Sequence, residues 1–222
     1  MIAPNTAHSP ETTPTKPVGP GRPKDPGKHA AIMEAAKRMF VTHGFEGVSM
    51  DQIAAEAGVS KLTVYSHFGD KESLFAEAVR LHCEEGMPTM LFVAEPDTPI
   101  RERLLAIGNA FFSMIMSPEA IAGHRILCAP QVASSSIPSA FWAAGPQRLQ
   151  QSFAELLQRR VASGELEIDD CERAAAQFFT LLKGEPHAHA VFGFRCGGRI
   201  DSPEQHVASV IDLFLRAYAV RR

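Results

Sequence analysis

The sequence predicts an all-α fold, in which an N-terminal three-helix domain containing a helix-turn-helix precedes a larger helical domain. Apolar residues recur at intervals of three and four along most of the 222 residues, which is the spacing of one face of an α-helix. Ser, Asp, Pro and Gly stand where such helices would begin and end. No segment shows the alternation of apolar and polar residues that is typical of a strand, and no internal repeat is present.

The first 26 residues are predicted to have no fixed structure. They contain seven prolines together with Ser and Thr, and they have too few apolar residues to form a core. The segment ends in the basic sequence Gly21-Arg22-Pro23-Lys24. We treat residues 1–26 as a basic, Pro-rich arm that precedes the first domain, residues 27–86.

The first domain begins with a helix of about four turns. Ile32, Ala36 and Phe40 follow helical spacing, and Gly44 stands where a residue with left-handed backbone would end the helix. We expect this helix to support the short helices that follow.

Residues 49–68 have the pattern of two short helices joined by a tight turn. Ser49 is a favoured N-cap, and Gln52 stands three residues later, as in a capping box. Gly58 is suited to ending the first helix, and Ser60 can cap the second, which runs from about residue 61 to residue 68. This arrangement is typical of a helix-turn-helix, in which the second helix enters the DNA major groove.

The second helix of this pair has a small apolar face and a large polar one. Val64 and Phe68 lie four residues apart and are expected to pack inward. The other face carries short donors, a phenol and a cation, which suit phosphate oxygens and base edges. A pair of ordinary surface helices is the alternative interpretation. A longer helix follows Asp70 and is expected to reach about Gly86, with Lys71 placed to contact the DNA backbone.

Residues 27–86 share a set of fixed positions with one known family. Besides the spaced residues of the first helix, these are Ile53-Ala54, Ala57-Gly58-Val59-Ser60, Val64-Tyr65, His67-Phe68 and Lys71-Glu72-Ser73-Leu74. On these positions the segment resembles the N-terminal domain of the TetR family of transcriptional regulators, which implies binding to a double-stranded DNA operator. The residues expected to contact DNA are Arg22, Lys24, Ser49, Lys61, Leu62, Thr63, Tyr65, Ser66, His67 and Lys71.

Two of these expectations leave alternatives open. Arg22 and Lys24 either lie in the minor groove beside the recognition helix or only attract phosphates generally. Leu62 stands where many family members have a small residue, so it either touches a thymine methyl group or is tolerated bulk at the groove edge. The operator sequence is therefore not transferable from a relative.

The net charge of −3 does not by itself indicate a nucleic-acid partner. Residues 1–82 carry nine basic and nine acidic residues, so the acidic excess lies in the rest of the chain. Within residues 16–38, six basic residues stand against two acidic ones, which predicts a basic footprint at the front of the first helix.

Residues 87–222 are expected to form the second domain. A linker rich in Pro and Thr at 88–99 opens it, and Ser117-Pro118-Glu119 and Ser202-Pro203-Glu204 are helix start signals. The expected helices cover about 99–116, 118–132, 139–144, 146–164, 170–184 and 203 to the C-terminus.

The last two of these helices carry apolar stripes that are wider than one partner within a small domain would need. We therefore expect a homodimer, and the family resemblance implies the same, with two helices from each subunit in a four-helix bundle. The alternative is that the stripes complete the core of a single chain. A dimer would place two recognition helices about 34–36 Å apart, on successive major grooves of a pseudo-palindrome. The predicted interface residues are Phe178, Leu181, Leu182, Val207, Val210, Ile211, Phe214, Leu215 and Tyr218.

Residues 117–127, Phe141-Trp142 and residues 144–149 form a second, looser pattern. It resembles the C-terminal domain of the AefR-like branch of TetR regulators, which implies ligand binding in a hydrophobic cavity. Repression relieved by a small, largely apolar effector is the usual family behaviour; an activator, or a regulator without ligand response, is the alternative. The residues proposed near the cavity, each of which could instead be plain core, are Phe111, Phe112, Met114, Met116, Trp142, Phe153, Phe178 and Phe179.

The sequence gives little support to a helical enzyme or carrier, a metal site or a cofactor. The four cysteines form no C-x-x-C pair and are expected to be reduced thiols, with Cys83 a minor candidate for a redox sensor. His187-Ala188-His189 with Cys196 matches no strong metal pattern and is expected to be a polar loop. No phosphate loop, dinucleotide fingerprint or Gly-x-Ser-x-Gly occurs. Without a long apolar run or a signal peptide, the chain is expected in the cytoplasm and not in a membrane.

Overall fold

The structure is a computed structural model that describes residues 25–93, 98–194 and 202–220. Over these residues the chain is α-helical, and the one β-contact is an isolated bridge between Leu166 and Ala219. The predicted all-α fold is confirmed. Arg22, Lys24 and Cys196, which the sequence analysis singled out, lie outside the described residues.

The helices are numbered in chain order. The N-terminal group comprises α1 (Pro26–His43), α2 (Met50–Glu56), α3 (Lys61–Phe68) and α4 (Lys71–Gly86). A 3-10 turn at Thr89–Leu91 follows within the predicted linker. The remaining helices are α5 (Ile100–Ile115), α6 (Pro118–Leu127), α7 (Pro130–Ala133), α8 (Ile137–Ala144), α9 (Pro146–Ala162), α10 (Cys171–Phe192) and α11 (Pro203–Tyr218).

One predicted helix is divided in two by a proline. The helix expected over 118–132 is divided, since α6 ends at Leu127 and Pro130 begins α7. Proline is tolerated in the first turn of a helix, where its missing N–H has no intrahelical partner, but it cannot continue a helix without losing a hydrogen bond.

A break at Gly184 divides α10, which was expected to end there. Gly184 has φ 46° and ψ −157°, a conformation that L side chains rarely adopt. Because Pro186 has no N–H, the carbonyl of Leu182 lacks the donor that a helix would supply four residues later. Nε2 of His206 in α11 lies 2.9 Å from that carbonyl oxygen and donates to it instead. The break is thus held by a side chain from the neighbouring helix.

The second half of α10 corrects a further expectation. The segment His187-Ala188-His189 is helical and is not a polar loop. His187 is 8% exposed, and its ring lies against that of His124, with 4.6 Å between the centroids. The polar residue types suggested a solvated loop, but the side chain of His187 packs between α10 and α6.

One hydrophobic core lies under α1 to α4. Ile32, Ile53, Val64 and Leu74 are fully buried in it, one from each of the four helices. Buried residues of α6, α7 and α8 belong to the same cluster, namely Ile126, Val132 and Ile137. The helices between residues 118 and 144 therefore pack directly on the N-terminal group.

A second core joins α5, α9, α10 and α11. The rings of Phe153 and Phe178 lie 4.5 Å apart, and that of Phe214 lies 5.2 Å from Phe178. Gly108 allows α5 and α11 to approach closely, since a Cβ at this position would lie 2.9 Å from Cγ1 of Val207.

This core contains most of the residues that were predicted for the dimer interface. Leu181 is exposed, and Leu215 and Tyr218 are partly buried. The other six side chains are buried inside the protomer by the packing among α5, α9, α10 and α11, and these are Phe178, Leu182, Val207, Val210, Ile211 and Phe214. For these six, the alternative reading, in which the stripes complete the core of a single chain, matches the structure.

Among the described residues, no single helix is long and apolar enough to cross a membrane. The bent pair Ile100–Ile115 and Pro118–Leu127, with 67° between its helices, passes that test by length and composition only.

Candidate nucleic-acid interface and cavity

The starts of α2 and α3 and the turn between them have the local features that the sequence predicted. The backbone N–H of Ser49 donates to Oε1 of Gln52 over 2.8 Å, and the N–H of Gln52 donates to Oγ of Ser49 over 3.3 Å. Gly58 has the left-handed φ of 66° that the turn requires. Ser60 then caps α3 by accepting from the N–H of Thr63. These features fix where α2 and α3 begin and where the turn between them lies.

The polar side of α3 faces solvent. Leu62 is 78% exposed and Tyr65 is 41% exposed, whereas Val64 and Phe68 are buried beneath them. Lys61 and Ser66 are also exposed. The helix thus presents a cation, hydroxyl groups, a phenol and one isobutyl group on its outer side.

The functional groups on this face are partly pre-positioned. Nζ of Lys61 lies 2.9 Å from Oδ2 of Asp51 in α2, and this hydrogen-bonded ion pair raises the pKa of Lys61. The same ammonium lies 5.7 Å from the ring centroid of Tyr65. Oγ of Ser66 donates to the carbonyl of Thr63 over 2.8 Å. The side chains of Lys61 and Ser66 are therefore restrained by contacts within the protein itself.

His67 and Lys71 lie deeper than the other predicted contacts. The ring of His67 is partly buried and lies 6.1 Å from that of His29. Nζ of Lys71 donates to the carbonyls of Phe45 and Val48, over 2.8 and 3.0 Å, and lies 4.1 Å above the ring of Phe45. The predicted phosphate contact of Lys71 does not match this placement, because the ammonium ties α4 to the loop between α1 and α2.

A cavity of about 120 Å³ lies where α1 and α4 meet the later helices. Phe40 of α1 and Phe75 of α4 line one side, and residues of α5, α6, α8, α9 and α10 line the others. Both phenylalanines also belong to the core beneath the helix-turn-helix. A molecule in this cavity would touch the side chains that support α2 and α3.

Half of the residues predicted near a cavity line this one. These are Phe111, Met114, Trp142 and Phe179, of which Trp142 is 46% exposed. The other four do not line it and pack in or against the second core, and these are Phe112, Met116, Phe153 and Phe178.

The polar groups of the cavity, chiefly Lys183 and His124, were not predicted from the sequence. A signal for Lys183 was present, because Ala175, Phe179 and Lys183 are spaced by four and share one face of α10. A cation that continues a buried apolar stripe is unusual, and it indicates that this face of α10 does not pack entirely in an apolar core.

Burial governs the protonation of these groups. It lowers the pKa of Lys183 and of His124, and it lowers the pKa of His187 to about 4, to which His124 and Lys183 also contribute by charge repulsion. Burial raises the pKa of the Cys83 thiol to about 11. At neutral pH the two imidazoles and the thiol are uncharged, and the Lys183 ammonium is the charged member of the group.

Two family models cover most of the chain. The model for "Bacterial regulatory proteins, tetR family" matches residues 32–78. That for "AefR-like transcriptional repressor, C-terminal domain" matches residues 102–220, which is more than half of the chain. The chain belongs to the TetR family of transcriptional regulators. It is accordingly a DNA-binding regulator and not an enzyme.

Individual TetR-family proteins show the same relationship. The transcriptional activator FasR of Mycolicibacterium smegmatis is 31% identical over 100 residues, which cover 45% of this chain and 45% of FasR. The chain thus spans less than half of the length of that relative. The crystal structure of a TetR-family regulator from Mesorhizobium loti is 29% identical with a TM-score of 0.71, covering 87% of this chain and 97% of that one. The structure of the flavonoid-responsive regulator FrrA is 28% identical with a TM-score of 0.68, covering 89% and 100%.

In this TetR-family chain, α10 and α11 each carry an exposed large apolar side chain. Leu181 is 38% exposed and Leu213 is 52% exposed, and Leu213 was not among the predicted interface residues. The hydroxyl of Tyr218 donates to Oε1 of Gln177 over 2.9 Å and so ties the two helices together. Among the described residues, no group of three or more His, Cys, Asp or Glu is placed to hold a metal ion.

Proposed function

We propose that the chain is a homodimeric repressor, which releases a pseudo-palindromic operator when a small, largely apolar effector binds the cavity. The observation that carries the proposal is the position of the cavity, whose lining includes Phe40 and Phe75 from beneath the helix-turn-helix. Ligand binding and DNA binding would oppose each other, because both would depend on the packing of these side chains.

The exposed side of α3 supports sequence reading by this helix. Lys61, Leu62, Thr63 and Ser66 have the donors and the apolar contact suited to base edges, and Tyr65 has a hydroxyl suited to a phosphate. Ser49, at the start of α2, offers a hydroxyl near the same surface. Arg22 and Lys24 would add phosphate or minor-groove contacts from the N-terminal arm.

Dimerisation is proposed through the outer face of α10 and α11. Leu181 and Leu213 are large apolar side chains left exposed on two helices that are tied together. Burying them against a second copy would remove this apolar surface from water. The dimer would also supply the second recognition helix that a pseudo-palindrome requires.

The proposed response is a shift between two conformations. A ligand that enlarges the cavity would push α1 and α4 away from the later helices and change the separation of the two recognition helices. Such a ligand weakens DNA binding only to the extent that it binds the two conformations differently. The name of FrrA, a flavonoid-responsive regulator, supports a response to small molecules in a chain of this shape.

Repression is favoured because the matching C-terminal family model describes a transcriptional repressor. The name of FasR, an activator, keeps activation as the second candidate. A reporter fused to the promoter of the chain's own gene separates them, because deletion of the regulator raises expression under repression and lowers it under activation.

Fluorescence anisotropy on a duplex from the DNA upstream of the gene tests the reading face. Tyr65→Ala should weaken binding by a similar factor on the upstream duplex and on a scrambled one, because a phosphate contact carries no sequence information. Thr63→Ala should instead reduce the preference for the upstream duplex, by about 1–3 kcal/mol if a base contact is lost. Thr42→Ala on α1 is the matched control, and an unchanged preference in Thr63→Ala and Lys61→Ala would contradict the assignment.

A further inference from the structure

Lys183 is an uncompensated cation in the wall of the cavity. It lies on the same face of α10 as Phe179, and both line the cavity. Among the described residues no carboxylate lies within ion-pair distance of its ammonium. A partly buried ammonium without a counter-ion is costly, and proteins rarely keep one without a partner.

The ionisable groups around Lys183 do not neutralise it. Cys83, His124 and His187 are the groups with which it interacts by charge, and all three are uncharged at neutral pH. The two other charged groups of the cavity lining are Lys37 and Glu119. Lys37 already pairs with Glu85 over 3.4 Å, and Glu119 is exposed at the start of α6.

The lining of the cavity contains further polar groups besides Lys183. Nδ1 of His124 lies 2.8 Å from the carbonyl of Ala120, so this nitrogen carries the proton. The neighbouring His187 packs against His124 and is not itself part of the lining. Gln150 of α9 adds an amide to the lining. The rest of the lining is mainly apolar and includes Phe111, Phe141 and Phe179.

We propose that the effector of this cavity is a carboxylic acid with a compact apolar body, whose carboxylate binds Lys183. This rests on the proposed ligand response and names its chemical class. The carboxylate supplies the counter-ion that the chain lacks, and such charge-assisted hydrogen bonds are stronger than neutral ones. The apolar body lies against the phenylalanines. A cavity of about 120 Å³ is comparable to one of about 150 Å³ that binds benzene, which favours a single aromatic ring or a short alkyl chain.

Paired probes separate charge from shape. Benzoate, phenylacetate and octanoate are each compared with the corresponding primary amide, which has a similar shape and no charge, by isothermal titration calorimetry on the full-length protein at pH 7.5. We expect at least one acid to bind ten or more times more tightly than its amide. Equal binding of every acid and its amide, or no binding by any acid, would overturn the proposal.

Lys183→Met tests the residue, because Met keeps most of the aliphatic length and removes the charge. We expect the preference for acid over amide to fall below twofold, while binding of the amide is retained or improved. Arg173→Met removes an exposed cation from the same helix and should keep the wild-type preference. Circular dichroism checks the fold of both variants. A Lys183→Met protein that is folded and keeps its preference would refute the role of Lys183.

The same probes distinguish this inference from the proposed function. If neutral amides bind and release the upstream DNA while acids do not, the inference fails and the ligand-responsive repressor stands. If no probe binds and a broad screen also leaves DNA binding unchanged, both fail.

Discussion

Replacing His206 with Phe should lower the free energy of unfolding by roughly 1–3 kcal/mol. The change removes the donor to the Leu182 carbonyl, for which Pro186 offers no N–H. The Leu182 side chain is fully buried, so water has little access to replace the lost bond. Phe keeps a ring against Phe112, which lies 5.2 Å from His206 between centroids. For a chain of this size, the loss corresponds to a fall in Tm of roughly 2–12 °C.

Urea unfolding followed by circular dichroism measures this loss directly. His206→Gln is the matched control, because its amide nitrogen lies near the position of Nε2 and can still donate. We expect His206→Gln to recover more than half of the loss. Equal midpoints for wild type and His206→Phe would refute the argument that this bond holds the break in α10.

Two further predictions concern stability at low pH and assembly. Asp70 caps α4 by accepting from the N–H of Ser73, and this bond lowers the pKa of its carboxyl below the ordinary 3.8. Its contribution is present above pH 3.8 and is lost as the pH falls through the lowered pKa, so Asp70→Ala should cost about 0.5–2 kcal/mol at pH 7 and less at pH 2. A cost that does not change between these pH values, measured by urea unfolding, would contradict this role. Leu213→Glu should raise the dissociation constant of the dimer more than tenfold, seen in sedimentation as a shift towards the 24.1 kDa chain. Gln158→Glu on the exposed side of α9 is its control, and an unchanged mass for Leu213→Glu would exclude this face.

The helix-turn-helix was predictable because its signals are local. The capping box of Ser49 and Gln52, the left-handed Gly58 and the cap at Ser60 each act within four residues. Their hydrogen bonds form as the residue types predict, whatever the rest of the chain does. The inward side chains of α3 follow from the spacing of Val64 and Phe68 in the same way.

The predicted dimer interface shows what periodicity leaves out. The stripe of α11 marks the face that is buried, but spacing does not say whether the same chain or a second copy buries it. Gly108, ninety-nine residues before Val207, is what allows α5 to cover this face. Contacts over such distances in sequence leave no local pattern.

The polar side of the cavity was missed for a similar reason. Lys183 and His124 line the same cavity because α6 packs on α10, which is distant from it in the sequence. Lys71 is a related case, since its position after the helix-turn-helix suggested a phosphate contact. Its ammonium instead donates hydrogen bonds to two carbonyls in a loop more than twenty residues earlier.

The proposed repressor depends on coupling between the cavity and the DNA-reading surface through α1 and α4. The most direct test uses the acid that binds most tightly among the probes. It measures how this acid changes the affinity for DNA and how DNA changes the affinity for the acid. We expect a saturating acid to weaken binding to the upstream duplex by at least fivefold, and a saturating duplex to weaken binding of the acid by the same factor. Unchanged affinity for the duplex while the cavity is fully occupied would show that the two sites are not coupled.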